Sequence, residues 1–174
     1  MSGVHVDSLP HLRASLAYVG RGGLGSCVVR NIALALDLRA GVVTFGTIRA
    51  ATDEEAAKIG PRASREPFIH CWIELGGNVL APTTIERTGG LVLPMRRESY
   101  YDINGIRDVR PVPRAAFDAI ARRYRLSAAL RHGSKRVGHG DIAEALLAAA
   151  GVRYVLGPDR GLLPAPKPAV GRLG

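Results

Sequence analysis

The stretch FIHCWIELGGNVLAPT, residues 68–83, predicts two β-strands joined by a tight turn. Apolar side chains dominate residues 67–75 and 78–83, and Gly76-Gly77 separates the two runs. A two-residue glycine loop between apolar runs is typical of an antiparallel hairpin. This loop sets the expected register, which pairs Leu75 with Asn78, Glu74 with Val79, Ile73 with Leu80, and Trp72 with Ala81.

The first strand of the hairpin presents two different faces, because side chains alternate along a strand. One set is apolar and is expected to face the main core: Ile69, Cys71, Ile73 and Leu75. The mixed set holds Phe68, His70, Trp72 and Glu74. We expect a second layer, such as the helix that carries Cys27, to cover His70. Glu74 is expected to be solvated or to pair with an arginine.

The segments before the hairpin alternate between helical and extended patterns. Ser26 is a suitable N-cap for the second helix, and Gly41 follows its end. The predicted elements are a helix over 8–18, a glycine-rich break over 20–26, a helix from Ser26 to about Ala40, a strand over 42–48 and a short helix over 52–60.

The segments after the hairpin predict more extended chain and then helices. The elements are a strand over 89–95, a strand or extended loop over 98–112 with a turn at Asn104-Gly105, a long helix from Pro113 to Gly133, a loop, a helix over 141–151 and a strand over 152–156. Helices, then mostly sequential strands, then helices are typical of an α+β fold with an antiparallel sheet.

The length and composition predict one domain. A chain of 174 residues that is 47% hydrophobic can bury one sizeable core. We assign that domain to residues 1–157, with its core at about 20–112 and a helical part over 113–151. Residues 158–174 are rich in Pro and Gly and are expected to be loosely ordered.

The two cysteines and the hydropathy pattern predict a cytoplasmic protein. The chain starts with no secretory signal pattern and contains no apolar run of the roughly 20 residues that a membrane helix needs. We therefore expect reduced thiols at Cys27 and Cys71, and no membrane partner.

The net charge of +9 is concentrated in one region of the chain. Residues 84–137 carry 12 basic and 5 acidic side chains. Such a block could attract an acidic peptide or a nucleic acid. Few aromatic residues are interleaved with the arginines, which disfavours single-strand nucleic acid as a partner.

Cys27 is a candidate nucleophile because the predicted N-cap places it at the first position of a helix. Unpaired N–H groups and the positive end of the helix dipole there favour the thiolate. The backbone at Gly25 and Ser26 is a candidate oxyanion or substrate loop. A small buried hydrophobe is the other interpretation of this cysteine.

His70 is the candidate base, and a third residue would have to hold its imidazole. A partner at position 81, diagonal to His70 across the hairpin, would be within reach, but this chain has Ala81. Continued pairing would bring Thr83 opposite His70, unless Pro82 ends the ladder.

These elements resemble the transglutaminase-like superfamily of papain-fold cysteine enzymes. The matching segments are GLGSCVVRNIALAL (23–36), HCWIE (70–74) and VLAPT (79–83), within residues 20–85. The resemblance implies that Cys27 is the nucleophile and His70 the general base and acid. It also implies a papain-like fold, in which Ala81 occupies the place of the family's aspartate.

Three interpretations of the incomplete triad follow. The pair could work as a dyad, it could be completed by Asp102 or Asn104, or the site could only bind. The first two predict a cysteine hydrolase or acyltransferase that acts on an amide or thioester carbonyl in a peptide, protein or small acyl substrate. The third predicts a binding module that uses the arginine-rich region.

No metal or cofactor is expected. His132, His139 and Asp141 match no common metal-ligand spacing. The glycines of GRGGLG follow no predicted strand, so they do not form a dinucleotide-binding loop.

Overall fold

The structure is a computed structural model that describes residues 2–18, 26–48, 67–82, 85, 88–131, 139–156 and 162–166. Its strands are β1 (Val4–His5), β2 (Val42–Ile48), β3 (Phe68–Leu75), β4 (Asn78–Leu80), β5 (Leu91–Val92), β6 (Pro94–Arg96), β7 (Ile106–Pro111), β8 (Tyr154–Leu156) and β9 (Leu162–Pro164). Its helices are α1 (Pro10–Tyr18), α2 (Ser26–Leu38), α3 (Arg97–Ile103), α4 (Arg114–Arg123), α5 (Leu126–Arg131) and α6 (His139–Ala149). The predicted helix over 52–60 lies outside the described residues.

A five-stranded antiparallel sheet forms the centre of the fold, with the strand order β6-β4-β3-β2-β7. The predicted hairpin is β3 and β4, and its register matches the expected pairs from Leu75–Asn78 to Ile73–Leu80. Gly76 and Gly77 have φ values of 56° and 76°, which glycine adopts without the steric cost that a Cβ adds. The α+β class and the hairpin are therefore confirmed.

The main core lies on the face of β3 that was predicted to be apolar. Ile69, Cys71 and Ile73 are buried there together with Phe45 of β2. Five helices contribute buried side chains to the same core, including Leu12, Ile32, Phe117, Leu126 and Leu146. Five of the six α-helices that the structure describes therefore lie on one side of the sheet.

The other face of the sheet holds a smaller cluster around Trp72, with Ile48, Val79, Tyr100 and Ile106. Gly46 is required beneath the indole, because a Cβ at that position would lie 2.5 Å from Trp72 Cη2. The short helix α3 brings Tyr100 onto this face. Among the described residues, the sheet thus separates a large helical layer from one short helix.

Residues 98–112 differ from their prediction as a strand or extended loop. The first half is helix α3, and only Ile106–Pro111 is a strand. The two tyrosines of this segment favour extended chain by propensity, but burial of Tyr100 beside Trp72 outweighs that preference. The turn at Asn104-Gly105 is present, and Gly105 has a φ of 55°.

The long helix predicted from Pro113 is interrupted. Helix α4 ends at Arg123 and α5 begins at Leu126, because Arg125 adopts a left-handed φ of 48°. The break redirects the chain so that Leu126 is buried in the main core. A left-handed arginine carries no sequence signal, whereas a glycine at this position would have predicted the helix end.

Two further segments differ from their predictions. Residues 89–95 form parts of two short strands in separate sheets, since β5 pairs with β1 and β6 pairs with β4. In the segment predicted to be a loosely ordered tail, Leu162–Pro164 forms β9 and pairs with β8. Within the described ranges, no helix has the length and apolar character to cross a membrane.

Candidate active site

Cys27 is the second residue of helix α2, one position further into the helix than the Ser26 N-cap predicted. The side chains of Ser26 and Cys27, and the whole of Gly25, lie outside the described residues. Helix α2 has 13 residues, which is long enough for aligned peptide dipoles to act at its first turn. The other cysteine, Cys71, has 1% of its surface exposed and is a core residue, as expected.

Helix α2 packs directly on β3, and a buried hydrogen bond joins the two elements. Asn31 Nδ2 donates to the carbonyl oxygen of Cys71 at 2.9 Å. Position 27 is four residues before Asn31, so both positions lie on one side of the helix, about 6 Å apart along its axis. The start of α2 is therefore about one helical turn from the residue that bonds to β3.

The expectation that the helix with Cys27 covers His70 is wrong. Helix α2 covers the face of β3 that holds Cys71, and the cross-strand partner of His70 is Gly46, on the opposite face. There Tyr100 of α3 contacts the imidazole, with 3.1 Å between His70 Nε2 and Tyr100 Oη. Alternation along β3 puts His70 on the side of the sheet away from α2.

The imidazole of His70 lies in an aromatic environment. Its ring stacks on Trp72 with 6.0 Å between ring centroids and an interplanar angle of 28°. Burial removes the water that would solvate an imidazolium, and this lowers the pKa of His70 from 6.5 to about 4. His70 is therefore neutral at physiological pH, which is the form that can accept a proton.

The Glu74 carboxylate, at the end of this face, contacts the side chains of Trp72, Tyr101 and Arg97. Trp72 Nε1 donates to Glu74 Oε1 at 3.1 Å, and the Tyr101 hydroxyl donates to the same oxygen. Arg97 Nη1 is 3.6 Å from Glu74 Oε2, which confirms the predicted arginine partner. Burial, followed by the bond to Glu74, raises the pKa of Tyr101, so its hydroxyl keeps its proton. This network anchors α3 to β3.

The candidates for the third member of a triad do not contact His70 in the part of the chain that the structure describes. Asn104 Nδ2 instead donates to the Tyr100 carbonyl at 2.8 Å, and Asp102 is exposed on α3. Thr83 lies outside the described residues, and the β3–β4 ladder ends at Leu80. The orienting group is the phenol of Tyr100, which sequence reasoning missed because the tyrosine comes from a helix that was not predicted.

The arginine-rich region spans several elements rather than one face of a single helix. Arg107 and Arg110 are exposed on the edge strand β7, and Arg122 and Arg123 are exposed on α4. The Arg123 guanidinium lies 5.5 Å from the centroid of the Tyr124 ring, so that arginine covers an aromatic face. The described arginines are therefore spread over at least two elements.

Within the described ranges, no group of three or more His, Cys, Asp or Glu side chains could hold a metal ion. His132 and the side chain of His139 lie outside the described residues, and Asp141 is exposed at the start of α6.

Comparison with known proteins gives no match: no protein-family model, no curated protein and no solved structure matches this chain.

Proposed function

We propose that the protein is a cysteine-dependent hydrolase or acyltransferase of papain-like, transglutaminase-like type. The observation that carries the proposal is the packing of the helix that begins at Ser26-Cys27 on the central sheet, where Asn31 bonds to the Cys71 carbonyl; this is the helix-on-sheet arrangement that the resemblance implies. The hairpin register agrees with the pattern from which the resemblance was drawn. Substrates of this class are amides or thioesters of peptides, proteins or small acyl groups.

In the proposed reaction, the Cys27 thiolate attacks the carbonyl carbon and a C–S bond forms. The C–N or C–S bond to the leaving group breaks, and the departing amine or thiol takes from His70 the proton that His70 had accepted from Cys27. Water or an amine then attacks the thioester and releases Cys27. The N–H groups at the start of α2 stabilise the oxyanion.

One observation favours a second function, a binding module on the same scaffold. The His70 ring is held by Tyr100 on the face of the sheet away from α2, and position 81 carries no carboxylate. A dyad therefore needs a rearrangement that brings the thiol and the imidazole to within about 3–4 Å. A binding module needs none, and its ligand would be an acidic peptide attracted by the arginine-rich region.

Alkylation with iodoacetamide at neutral pH distinguishes the two functions. A nucleophilic Cys27 should react at least about tenfold faster than free glutathione, because a lowered thiol pKa raises the thiolate fraction. Cys71, which is buried, is the internal control in the same peptide map. Cys27→Ser should abolish both the fast labelling and any thioesterase or amidase activity.

The role of His70 needs its own variants. His70→Gln and His70→Ala should each slow the alkylation of Cys27 if the two residues form a dyad, and circular dichroism checks that the variants remain folded. Fast labelling that is unchanged in both variants would remove His70 from the mechanism. Labelling no faster than glutathione would refute the enzyme, and a polyglutamate affinity that falls steeply with salt would then support the binding module.

A further inference from the structure

A hydrogen-bonded chain of a serine, a histidine and an aspartate joins three helices on the far side of the main core from Trp72. His11 of α1 lies between the other two residues, with Nδ1 2.6 Å from Asp37 Oδ1 and Nε2 2.7 Å from Ser127 Oγ. Asp37 is near the end of α2, and Ser127 is the second residue of α5. The sequence separations of 26 and 116 residues explain why no local pattern predicted this cluster.

The Asp37 carboxylate is fixed more tightly than a surface ion pair would be. Its side chain is 2% exposed, and it accepts the backbone N–H of His11 at 3.1 Å and that of Leu12 at 2.9 Å. These two bonds satisfy donors in the first turn of α1, which is a structural role. The bond to the imidazole is additional to that role.

The direction of the bonds follows from the chemistry of the three groups. An ionised carboxylate can only accept, so Nδ1 of His11 carries a proton and donates it to Asp37. In the neutral imidazole Nε2 is then a lone-pair acceptor, and Ser127 Oγ donates to it. A nucleophile bonded to a base, with the base oriented by a third group, is the recognised signature of an activated hydroxyl.

We propose that Ser127, His11 and Asp37 form a second, serine-based acyl-transfer site that acts on small activated esters. The His11 side chain is 14% exposed and Ser127 is partly exposed, so both lie at the border of the core rather than inside it. Ser127 is the nucleophile, His11 is the base and acid, and Asp37 is a positioning residue. The site is independent of Cys27.

The proposed step balances without any cofactor. Ser127 Oγ forms a bond to the ester carbonyl carbon while its proton moves to His11 Nε2. The C–O bond to the alcohol breaks, and the departing oxygen takes that proton. Water then attacks the acyl-serine, its proton passes through His11, and the carboxylic acid is released.

A fluorophosphonate probe tests the nucleophile directly, because P–F cleavage leaves phosphorus bonded to the reactive serine. Peptide mapping of the intact chain should show Ser127 modified at least about 100-fold faster than Ser99, an exposed serine on α3. Both serines are read in one sample, so the comparison does not depend on any variant folding. Equal labelling of the two, or no label on Ser127, would overturn the proposal.

Variants then assign the roles. In the Cys27→Ser background, Ser127→Ala and His11→Gln should lose p-nitrophenyl acetate hydrolysis, whereas Ser99→Ala and His5→Gln should keep it. Asp37→Asn should lower kcat by about 10²- to 10⁴-fold with little change in KM, an effect that helix capping alone does not produce in the folded fraction. Labelling of Ser127 at the wild-type rate in folded His11→Gln would refute the relay.

Cys27→Ser separates this site from the proposed cysteine enzyme. Ser127 labelling that persists in Cys27→Ser supports two independent sites. Loss of Ser127 labelling in that variant, if it remains folded, would contradict the independence that we propose.

Discussion

At the scale of single residues, burial of His70 on one face of β3 determines its protonation state. Its ring lies on Trp72 and bonds to Tyr100, and burial there lowers its pKa to about 4. A histidine in the unfolded chain has a pKa of about 6.5. Between these values the unfolded state binds more protons than the folded state, so acid favours unfolding.

We therefore predict a loss of stability on acidification that depends on His70. The contribution of the neutral imidazole is present above about pH 6.5 and is lost as the pH falls towards 4. Urea denaturation at pH 7 and pH 5 should show a loss on the order of 1–2 kcal/mol in the wild type that is absent in His70→Phe. The exposed His5→Gln is the control and should retain the wild-type loss; equal losses in all three proteins would contradict the prediction.

At the scale of elements, the Asn31 bond shows how a polar side chain can hold a helix on a sheet. Asn31 is fully buried, and its Nδ2 donates to the Cys71 carbonyl. Water cannot reach the donor and acceptor of this bond once the core has closed. Each group therefore depends on the other for its hydrogen bond. This bond holds α2 at a defined height on β3.

Asn31→Ala is predicted to lower the free energy of unfolding by about 1–3 kcal/mol, because it removes a buried donor from the core. Asn78→Ala is the matched control, since Asn78 Nδ2 makes an exposed bond to the Gly76 carbonyl. That change should cost less than about 0.5 kcal/mol. Urea midpoints measure both, and an Asn31→Ala midpoint equal to that of Asn78→Ala would disprove the anchoring role.

The break between α4 and α5 is also a property of elements, and it leads to a prediction about glycine. Arg125 has a left-handed φ of 48°, which costs about 1–2 kcal/mol in a residue with a Cβ. Arg125→Gly should therefore be neutral or stabilising by up to about 1 kcal/mol. Arg122→Gly, in the last turn of α4 and equally exposed, should destabilise by about 1 kcal/mol. Similar urea midpoints for the two variants would contradict the prediction.

At the scale of the whole molecule, the two faces of the sheet are covered very unequally. Helices α1, α2, α4, α5 and α6 contribute to the main core, and only the seven-residue α3 covers Trp72 within the described part of the chain. The C-terminal strand β9 adds to this assembly through β8, whose Tyr154 packs on the main core. The end of the described chain therefore contributes to the packed structure.

Deletion of residues 162–174 tests that contribution, because it removes β9 and leaves β8 unpaired. The free energy of unfolding should fall by about 1–2 kcal/mol, and limited proteolysis should reach residues 154–156 sooner. A shorter deletion of residues 167–174 keeps β9 and is the control. Identical urea midpoints for the two deletions would show that β9 contributes nothing.

The amino-acid sequence by itself was sufficient for the α+β class, the β3–β4 hairpin with its register, the start of α2, and the core position of Cys71. These features depend on local rules: strand alternation, glycine at a left-handed turn and helix capping. Local rules failed for α3 and for the break at Arg125, where burial of Tyr100 and Leu126 outweighs propensity. Local rules also failed for the contact between His70 and Tyr100 and for the cluster around His11.

Tertiary structure alone decided which helix covers which face of the sheet. It brought Tyr100 rather than a carboxylate to His70, and it placed α2 on the opposite face. It also joined His11, Asp37 and Ser127 across 116 residues of chain. The physical reason is that side chains distant in sequence meet only when several apolar faces are buried together, and that packing depends on the whole chain rather than on any one segment.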